Sequence, residues 1–138
     1  MAQEVEEHVF RSKYAPVPVP DNLTLPDFVL QGSEFYTNKV AFVESLTGKE
    51  YTHGQVVKET GRFAKALRSL GLKKGHVVVV VLPNIAEYPI VALGIMAAGG
   101  IFSGSNPSAH ASEIKKQVEV AEAKLIVTDA PTHNKVCV

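Results

Sequence analysis

Glycines, serines and histidines are the residues of this chain with chemistry to offer, and their spacing decides which chemistry. Gly99 and Gly100 are followed by Gly104. A phosphate-cradling loop would read G-x-G-x-x-G after a strand, or G-x-x-x-x-G-K-[ST], because glycines let backbone N–H groups close on an anion. Neither pattern occurs, and the turn after the most apolar strand is Pro83-Asn84-Ile85-Ala86. Gly99-Gly100 follows a long apolar run, so its expected role is to stop a helix. Ser103, Ser105 and Ser108 come next, without the G-x-S-x-G elbow that would expose a nucleophile. His8, His53, His76, His110 and His133 are scattered, and no two lie at metal-ligand spacing. His133 is near Cys137, but a tail with two ligands lacks the other two that a zinc site needs. Lys115, Lys116, Glu119 and Glu122 fall at helical spacing, which makes charge pairs on a solvated face rather than an acid–base couple. From motifs, no catalytic, cofactor-binding or metal-ligating residue is expected in residues 1–138.

Composition narrows the classes further. The chain is 46% hydrophobic and 20% charged, enough to bury a core. Basic and acidic residues balance at 14 each, so nothing draws it toward nucleic acid or an anionic membrane. A single cysteine, Cys137, excludes an intrachain disulfide and suits a reducing compartment. The start, MAQEVEEHVF, is acidic where a secretory leader is basic and then apolar. The end, NKVCV, is neither a prenylation box nor a peroxisomal address. No membrane span is expected. Val77–Leu82 is broken by Pro83, Asn84 and Glu87, and the apolar run Pro89–Phe102 is 14 residues. A helix needs about 20 to cross the hydrocarbon.

The elements that would carry these residues can be read in order. Tyr14-Ala-Pro-Val-Pro-Val-Pro20 predicts an extended arm, because alternate prolines remove backbone donors. Leu25–Leu30 predicts a short helix with Thr24 as cap and Pro26 in its first turn. Val40–Ser45 and Glu50–Thr52 predict a hairpin, with Gly48 at positive φ. Thr52 and Gln55 form a capping box for a helix over 53–70, whose inward stripe is Val56, Thr60, Phe63, Leu67 and Leu70. Gly71 is its expected terminator. Val77–Leu82 predicts a strand buried on both faces, since it lacks polar alternation. Asn84, with Glu87 closing a box, is expected to cap a helix that is regular from Pro89 to Ala98 and apolar all round. Strands at Ile101–Ser103 and Lys124–Thr128 flank a helix at Glu113–Ala123, with Ile114, Val118 and Ala121 inward. The fold class is therefore α/β: a βαβαβ parallel-sheet unit preceded by an extended arm, a hairpin and an amphipathic helix.

Several segments carry a resemblance. They are Phe10-Arg-Ser-Lys13 with the proline-rich arm, Leu23-Thr-Leu-Pro-Asp-Phe28, and Tyr51-Thr52 opening the helix to Leu70-Gly71. Val81-Leu-Pro-Asn84 with Glu87, Gly99–Ser105 and Asn106-Pro107 follow. Glu113-Ile114 with Lys116-Gln117, and Ala123-Lys-Leu-Ile-Val-Thr128, complete the series. In this order the chain resembles the N-terminal region of plant 4-coumarate–CoA ligases and their relatives, within the adenylate-forming acyl-CoA synthetase and luciferase superfamily. The resemblance divides the chain into an arm with a short helix (1–38) and an incomplete N-terminal domain of an AMP-dependent synthetase/ligase (39–138).

The resemblance implies a two-step reaction in the parent. A carboxylate attacks Mg-ATP to give an acyl-adenylate, and coenzyme A then displaces AMP. It implies ATP, Mg²⁺ and coenzyme A as cofactors. The acid would be a hydroxycinnamate of phenylpropanoid metabolism, or a fatty or jasmonate-precursor acid. It implies a cytoplasmic or peroxisomal setting. The family's phosphate loop and catalytic lysine lie in later motifs that residues 1–138 do not contain, so no site residue is carried over. His110-Ala111-Ser112 stands where relatives usually have Thr-Pro-Ala. That exchanges a good helix cap for a poor one and points to a "like" member. The expectation is an N-terminal fragment or truncated form of such a ligase, inert alone. The rival expectation is a non-catalytic interaction module that docks on a full-length ligase or another partner. A free-standing nucleotide-binding domain is a third reading, set back by the missing glycine loop.

Overall fold

Five consecutive valines form the strand around which the rest of the protein packs. In the computed structural model, which describes residues 12–136, Val78, Val79, Val80 and Val81 each have 0% exposure. Branching at Cβ favours the extended backbone, and burial on both faces removes any need for polar alternation. The arm leads into α1 (Leu25–Leu30), a 3-10 turn (Ser33–Tyr36) and the antiparallel hairpin β1 (Val40–Val43) and β2 (Glu50–Thr52). Then come α2 (His53–Ser69), β3 (Val77–Val81), α3 (Tyr88–Ala97), β4 (Ile101–Ser105), α4 (Ala111–Val120), β5 (Leu125–Thr128) and α5 (Ala130–Val136). The α/β class and the βαβαβ parallel-sheet unit are as the sequence implies, and the hairpin is a separate small sheet. Three expectations fall at least partly outside the described residues: the start of the arm with Phe10-Arg11, His8, and Cys137.

The sheet order is β4-β3-β5, all parallel. Alternation along β3 splits the core in two. Val78 and Val80 face α2 and α3, where they pack with Ala64, Leu67, Leu72, Val91 and Ile95. Val79 and Val81 face the other way and pack with Ile114 of α4, with Val118 and with Val136 of α5. The helices α3 and α4 therefore cover opposite faces. Gly94 sets how closely α2 and α3 approach: a Cβ there would lie 2.7 Å from the Phe63 ring and 3.3 Å from the Thr60 carbonyl oxygen.

Local signals behave as expected at most element ends. Thr24 accepts a hydrogen bond from the Asp27 N–H, and Thr52 with Gln55 forms the capping box of α2. Gly48 and Gly71 take φ of 71° and 90°. Other expectations need correction. Leu70 is 71% exposed, because the chain leaves α2 there and Gly71 turns it so that Leu72 enters the core instead. Glu87 does not close a box with Asn84: α3 starts at Tyr88 without a side-chain cap, and the Glu87 carboxylate is engaged elsewhere. The helix α4 begins at Ala111 and ends at Val120, earlier than expected at both ends. The His110 ring supplies no cap, and the Glu113 carboxylate takes the His110 N–H at 2.8 Å. The strand β4 runs on to Ser105 because its pairing with β3 continues to Val81. The 3-10 turn and α5 carry too short a pattern to stand out in the sequence.

The Ile95 side chain is fully buried between α2 and the sheet. Ile95→Ala is expected to lower unfolding free energy by about 2–5 kcal/mol. Leu70→Ala, despite its place in the apolar repeat of α2, should change it by less than about 0.5 kcal/mol. Urea denaturation of the 138-residue chain measures both.

Candidate functional site

Where a parallel sheet can take a ligand follows from its connections. The loop leaving β3 runs to α3 on one face, and the loop leaving β4 runs to α4 on the other. β3 and β4 are neighbours, so their connections diverge and open a crevice beyond their C-terminal ends. That is the switch-point position at which open α/β sheets bind ligands. The crevice is bordered by Leu82-Pro83-Asn84 on one side and Ser105-Asn106-Pro107 on the other. Beside it, an open groove of ≈ 440 Å³ runs between the hairpin (Ala41–Ser45) and Asn84, Tyr88 and Pro89. The Tyr88 ring meets Phe102 edge-on at 6.1 Å and 79°. Its hydroxyl lies over Gly104, where a Cβ would stand 3.0 Å away, so glycine is what lets Tyr88 lie across β4.

The rim is rigid and already hydrogen-bonded. Pro83 has no N–H, and its carbonyl accepts from Ile85 N–H at 2.9 Å. The Asn106 side chain accepts from Ser108 N–H at 2.9 Å, and its carbonyl from Ala109 N–H at 3.0 Å. Gln117 of α4 donates from Nε2 to Ser103 Oγ and to the Gly104 carbonyl, each at 3.0 Å. Lys135 of α5 donates to the Pro107 carbonyl at 2.7 Å. Thr128 donates to the Val81 carbonyl at 3.0 Å. Asp129, just past β5, accepts from Thr132 N–H at 2.9 Å; the Thr132 side chain first, and then backbone N–H groups, hold its carboxyl below the usual carboxylate value against a small opposing effect of burial. The Ile85, Ser108, Ala109 and Thr132 amides are thus bonded locally at this edge. Among the described residues there is also no group of three His, Cys, Asp or Glu placed to hold a metal ion.

A second polar cluster joins the hairpin to α3. The Glu87 carboxylate accepts from Lys49 Nζ and from Tyr51 Oη, the latter at 3.1 Å, and Lys49 lies 5.3 Å from the centre of the Tyr51 ring. Glu87 and Tyr51 border a groove of ≈ 560 Å³ whose floor is Phe63, Ala66, Ile90 and Val91. Burial pushes the Glu87 carboxyl up, but the bonds from Lys49, its own backbone and Tyr51 outweigh it, and the group sits below its ordinary value. The Lys49 ammonium is raised, chiefly by Glu87 and then by Tyr51. Residues 36 and 38 positions apart make this cluster, so no spacing rule could reveal it.

The residues singled out in the sequence are not brought together. Gly99 takes φ of 89° and ends α3. Ser103 is a hydrogen-bond acceptor for Gln117. His53 lies against Tyr36, His76 accepts from Lys73 N–H at 3.2 Å, and His133 sits in α5. Among the described residues the ion pairs are Lys49–Glu87 and Glu59–Arg62. The charges of α4 therefore stand apart on a solvated face instead of pairing as expected.

The profile of the AMP-binding enzyme family matches residues 31–137. The 4-coumarate–CoA ligase-like 1 of Arabidopsis thaliana is 65% identical over 134 residues, covering 97% of this chain and 25% of the relative. The 4-coumarate–CoA ligase-like 9 of Oryza sativa subsp. japonica is 58% identical over 135 residues, covering 97% and 24%. The benzoate CoA ligase from Burkholderia xenovorans LB400 superposes with a TM-score of 0.79 at 21% identity, over 83% of this chain and 23% of that one, which shows a shared fold. The chain thus spans about a quarter of the length of the curated relatives it matches. No helix among the described residues is long and apolar enough to cross a membrane.

The Glu87 cluster has a pH signature. Its folded carboxyl lies below the ordinary 4.5. Its contribution is therefore complete above that value and is lost as pH falls through the folded value. Between about pH 6 and about pH 3 the urea midpoint of the native chain should fall more than that of Glu87→Gln. Equal falls would show that the hairpin is held without this carboxylate.

Proposed function

Because the chain belongs to the AMP-binding enzyme family, we propose that it serves as the N-terminal scaffold of an AMP-forming carboxylate–CoA ligase of the 4-coumarate–CoA ligase-like type. The observation that carries this reading is 65% identity sustained over 134 residues to a protein of that description. The overall reaction would join a carboxylic acid to coenzyme A through an acyl-adenylate, with ATP cleaved to AMP and pyrophosphate. Its acid would be a hydroxycinnamate or a fatty or jasmonate-precursor acid. ATP with Mg²⁺ supplies the activated phosphoryl centre in such chemistry. Nothing among the described residues marks a place for that group: the Ile85, Ser108, Ala109 and Thr132 amides are bonded locally, and no three of His, Cys, Asp or Glu stand together. Their part is to build β3, β4 and β5, to cover both faces, and to fix the rim of the switch-point crevice. By itself this segment is proposed to be inert.

Exposed apolar side chains of the arm and the 3-10 turn favour a second reading. Val17, Val19 and Phe35 are 82%, 77% and 79% exposed. A separate short chain with such a surface would dock on a full-length ligase and compete for its scaffold contacts. Purified chain added in excess should then lower that ligase's activity.

The main test has two arms. The purified chain, given Mg-ATP and a panel of carboxylic acids, should release no pyrophosphate above background. Grafted in place of the matched segment of the Arabidopsis relative, it should preserve that relative's activity and its order of acid preference. Turnover by the chain alone would overturn inertness, and an inactive or re-specified chimera would overturn the scaffold role.

A further inference from the structure

At the end of the sheet opposite the crevice, we propose that the turns carrying Lys73, Lys74 and Lys124 form a docking surface for an anionic lipid bilayer, with Leu70 as the side chain that enters it. The proposal goes beyond the ligase reading and invokes no step of that reaction. The first observation is charge. The chain is neutral as a whole, but its charges are unevenly spread. Between Glu59 and Glu87 there is no acidic residue, and Arg62, Lys65, Arg68, Lys73 and Lys74 all fall there. A net charge of zero hides such a patch, which is why composition gave no sign of it.

The second observation is that the fold gathers these residues at one end. Arg68 donates to the Ala97 and Ala98 carbonyls, which ties the end of α2 to the end of α3. A Cβ on Gly99 would lie 3.5 Å from Lys74 Cα, so the turn before β3 lies against the end of α3. The Ile101 N–H bonds the His76 carbonyl and the Lys124 N–H bonds the Val77 carbonyl, each at 2.9 Å. His76, Val120 and Lys124 border an open pocket of ≈ 370 Å³. Lys65, Lys73, Lys74 and Lys124 are exposed, and among the described residues none of them is in an ion pair. Arg68 adds a fifth cation, and the carboxylates at the end of α4 that face this set are Glu119 and Glu122.

The third observation is apolar. Leu70, Ile101 and Val120 are 71%, 52% and 78% exposed. Leu70 follows α2, Ile101 opens β4 and Val120 closes α4, all at this end. A soluble acidic partner would be matched by the lysines alone. Projecting aliphatic side chains beside lysines suit the boundary between headgroups and acyl chains, where lysine stems lie along the apolar layer and ammonium groups reach the phosphates. The remainder of a larger ligase is a poor cover for this end, because unpaired lysines are almost never buried.

The test is co-sedimentation of the 138-residue chain with vesicles of phosphatidylcholine, alone or with added phosphatidylserine. At about 0.1 M salt the chain should partition about tenfold or more in favour of the anionic vesicles, and about 0.5 M salt should release it. Lys73→Gln with Lys74→Gln should lower that partition about tenfold. Leu70→Ala, which leaves the core untouched, should lower it about threefold or more. Thermal midpoints of these variants should match that of the native chain. Lys39→Gln with Lys49→Gln makes the same change in net charge at the hairpin, beside the start of α2, and should leave the partition within about twofold. Equal binding to both kinds of vesicle, or an equal loss in the hairpin pair, would show that this end holds no lipid surface. A loss in the Lys73 and Lys74 pair with none in Leu70→Ala would assign the patch to a soluble acidic partner and overturn the lipid proposal.

Discussion

Everything in this fold follows from the need to dry one strand on both sides. β3 exposes none of Val78 to Val81. A helix can cover only one face of a sheet, so two connections must leave in opposite directions. The helix α3 takes one face and α4 the other, and β4 and β5 fall on either side of β3. Apolar burial contributes roughly 25 cal/mol per Å² and is indifferent to direction. The pleat supplies the direction, because alternate valines must face opposite layers. The crevice at the C-terminal ends is a consequence of that arrangement and needs no residue of its own to exist. The crevice is thereby placed by apolar residues alone.

The layers outside the sheet are joined by different means. Between α2 and α3 the contact is steric: Gly94 admits the Phe63 ring and the Thr60 carbonyl oxygen, and Thr60 is itself 2% exposed. Arg68 adds a polar tie by donating to the Ala97 and Ala98 carbonyls at the end of α3. Those carbonyls belong to the last turn, which has no partners within the helix, and a cation there is favoured by the helix dipole. The hairpin is held more lightly. It is not part of the main sheet, and Lys49 and Tyr51 reach Glu87 from an exposed surface. Exposed ion pairs are screened and entropically costly, so the hairpin depends on the apolar contacts beneath it as much as on the charge.

How much was legible in the sequence depended on whether a signal was local. The capping box at Thr52 and Gln55, the terminator Gly71 and the valine strand act within a few residues, and each stands where its spacing placed it. The α/β class followed from the order of those signals. Leu70 was misread because periodicity continues past the point where the backbone turns, and only φ at Gly71 decides which leucine enters the core. Glu87 was misread for another reason. At Asn84-x-x-Glu87 the residue types suit a capping box, but Lys49 and Tyr51 offer the carboxylate two donors, and neither is near in sequence. Strand order is also non-local. β3, β4 and β5 could be placed along the chain, but β3 at the centre appears only when pairing is seen. With the order unknown, the crevice could not be placed.

The two edges of the sheet differ in a way that bears on what can be added to it. In a parallel ladder alternate residues turn their N–H and C=O groups toward one neighbour. The Ile101 N–H bonds to His76, so Ile101, Ser103 and Ser105 face β3, while Phe102 and Gly104 face outward. The outward carbonyl of Gly104 is taken by Gln117, which folds back from α4. A strand approaching β4 from outside would have to displace that side chain near the crevice. Among the described residues, no side chain takes the corresponding groups of β5 at Leu125 and Val127. An uncovered edge is a surface ready to pair, so β5 is the edge left open along its length. The same glutamine that bonds the rim of the crevice therefore also occupies one outward acceptor of the β4 edge. Gln117 thus links the end of β4 to α4 and takes an outward carbonyl of that edge at once, so an apolar replacement would remove both bonds together.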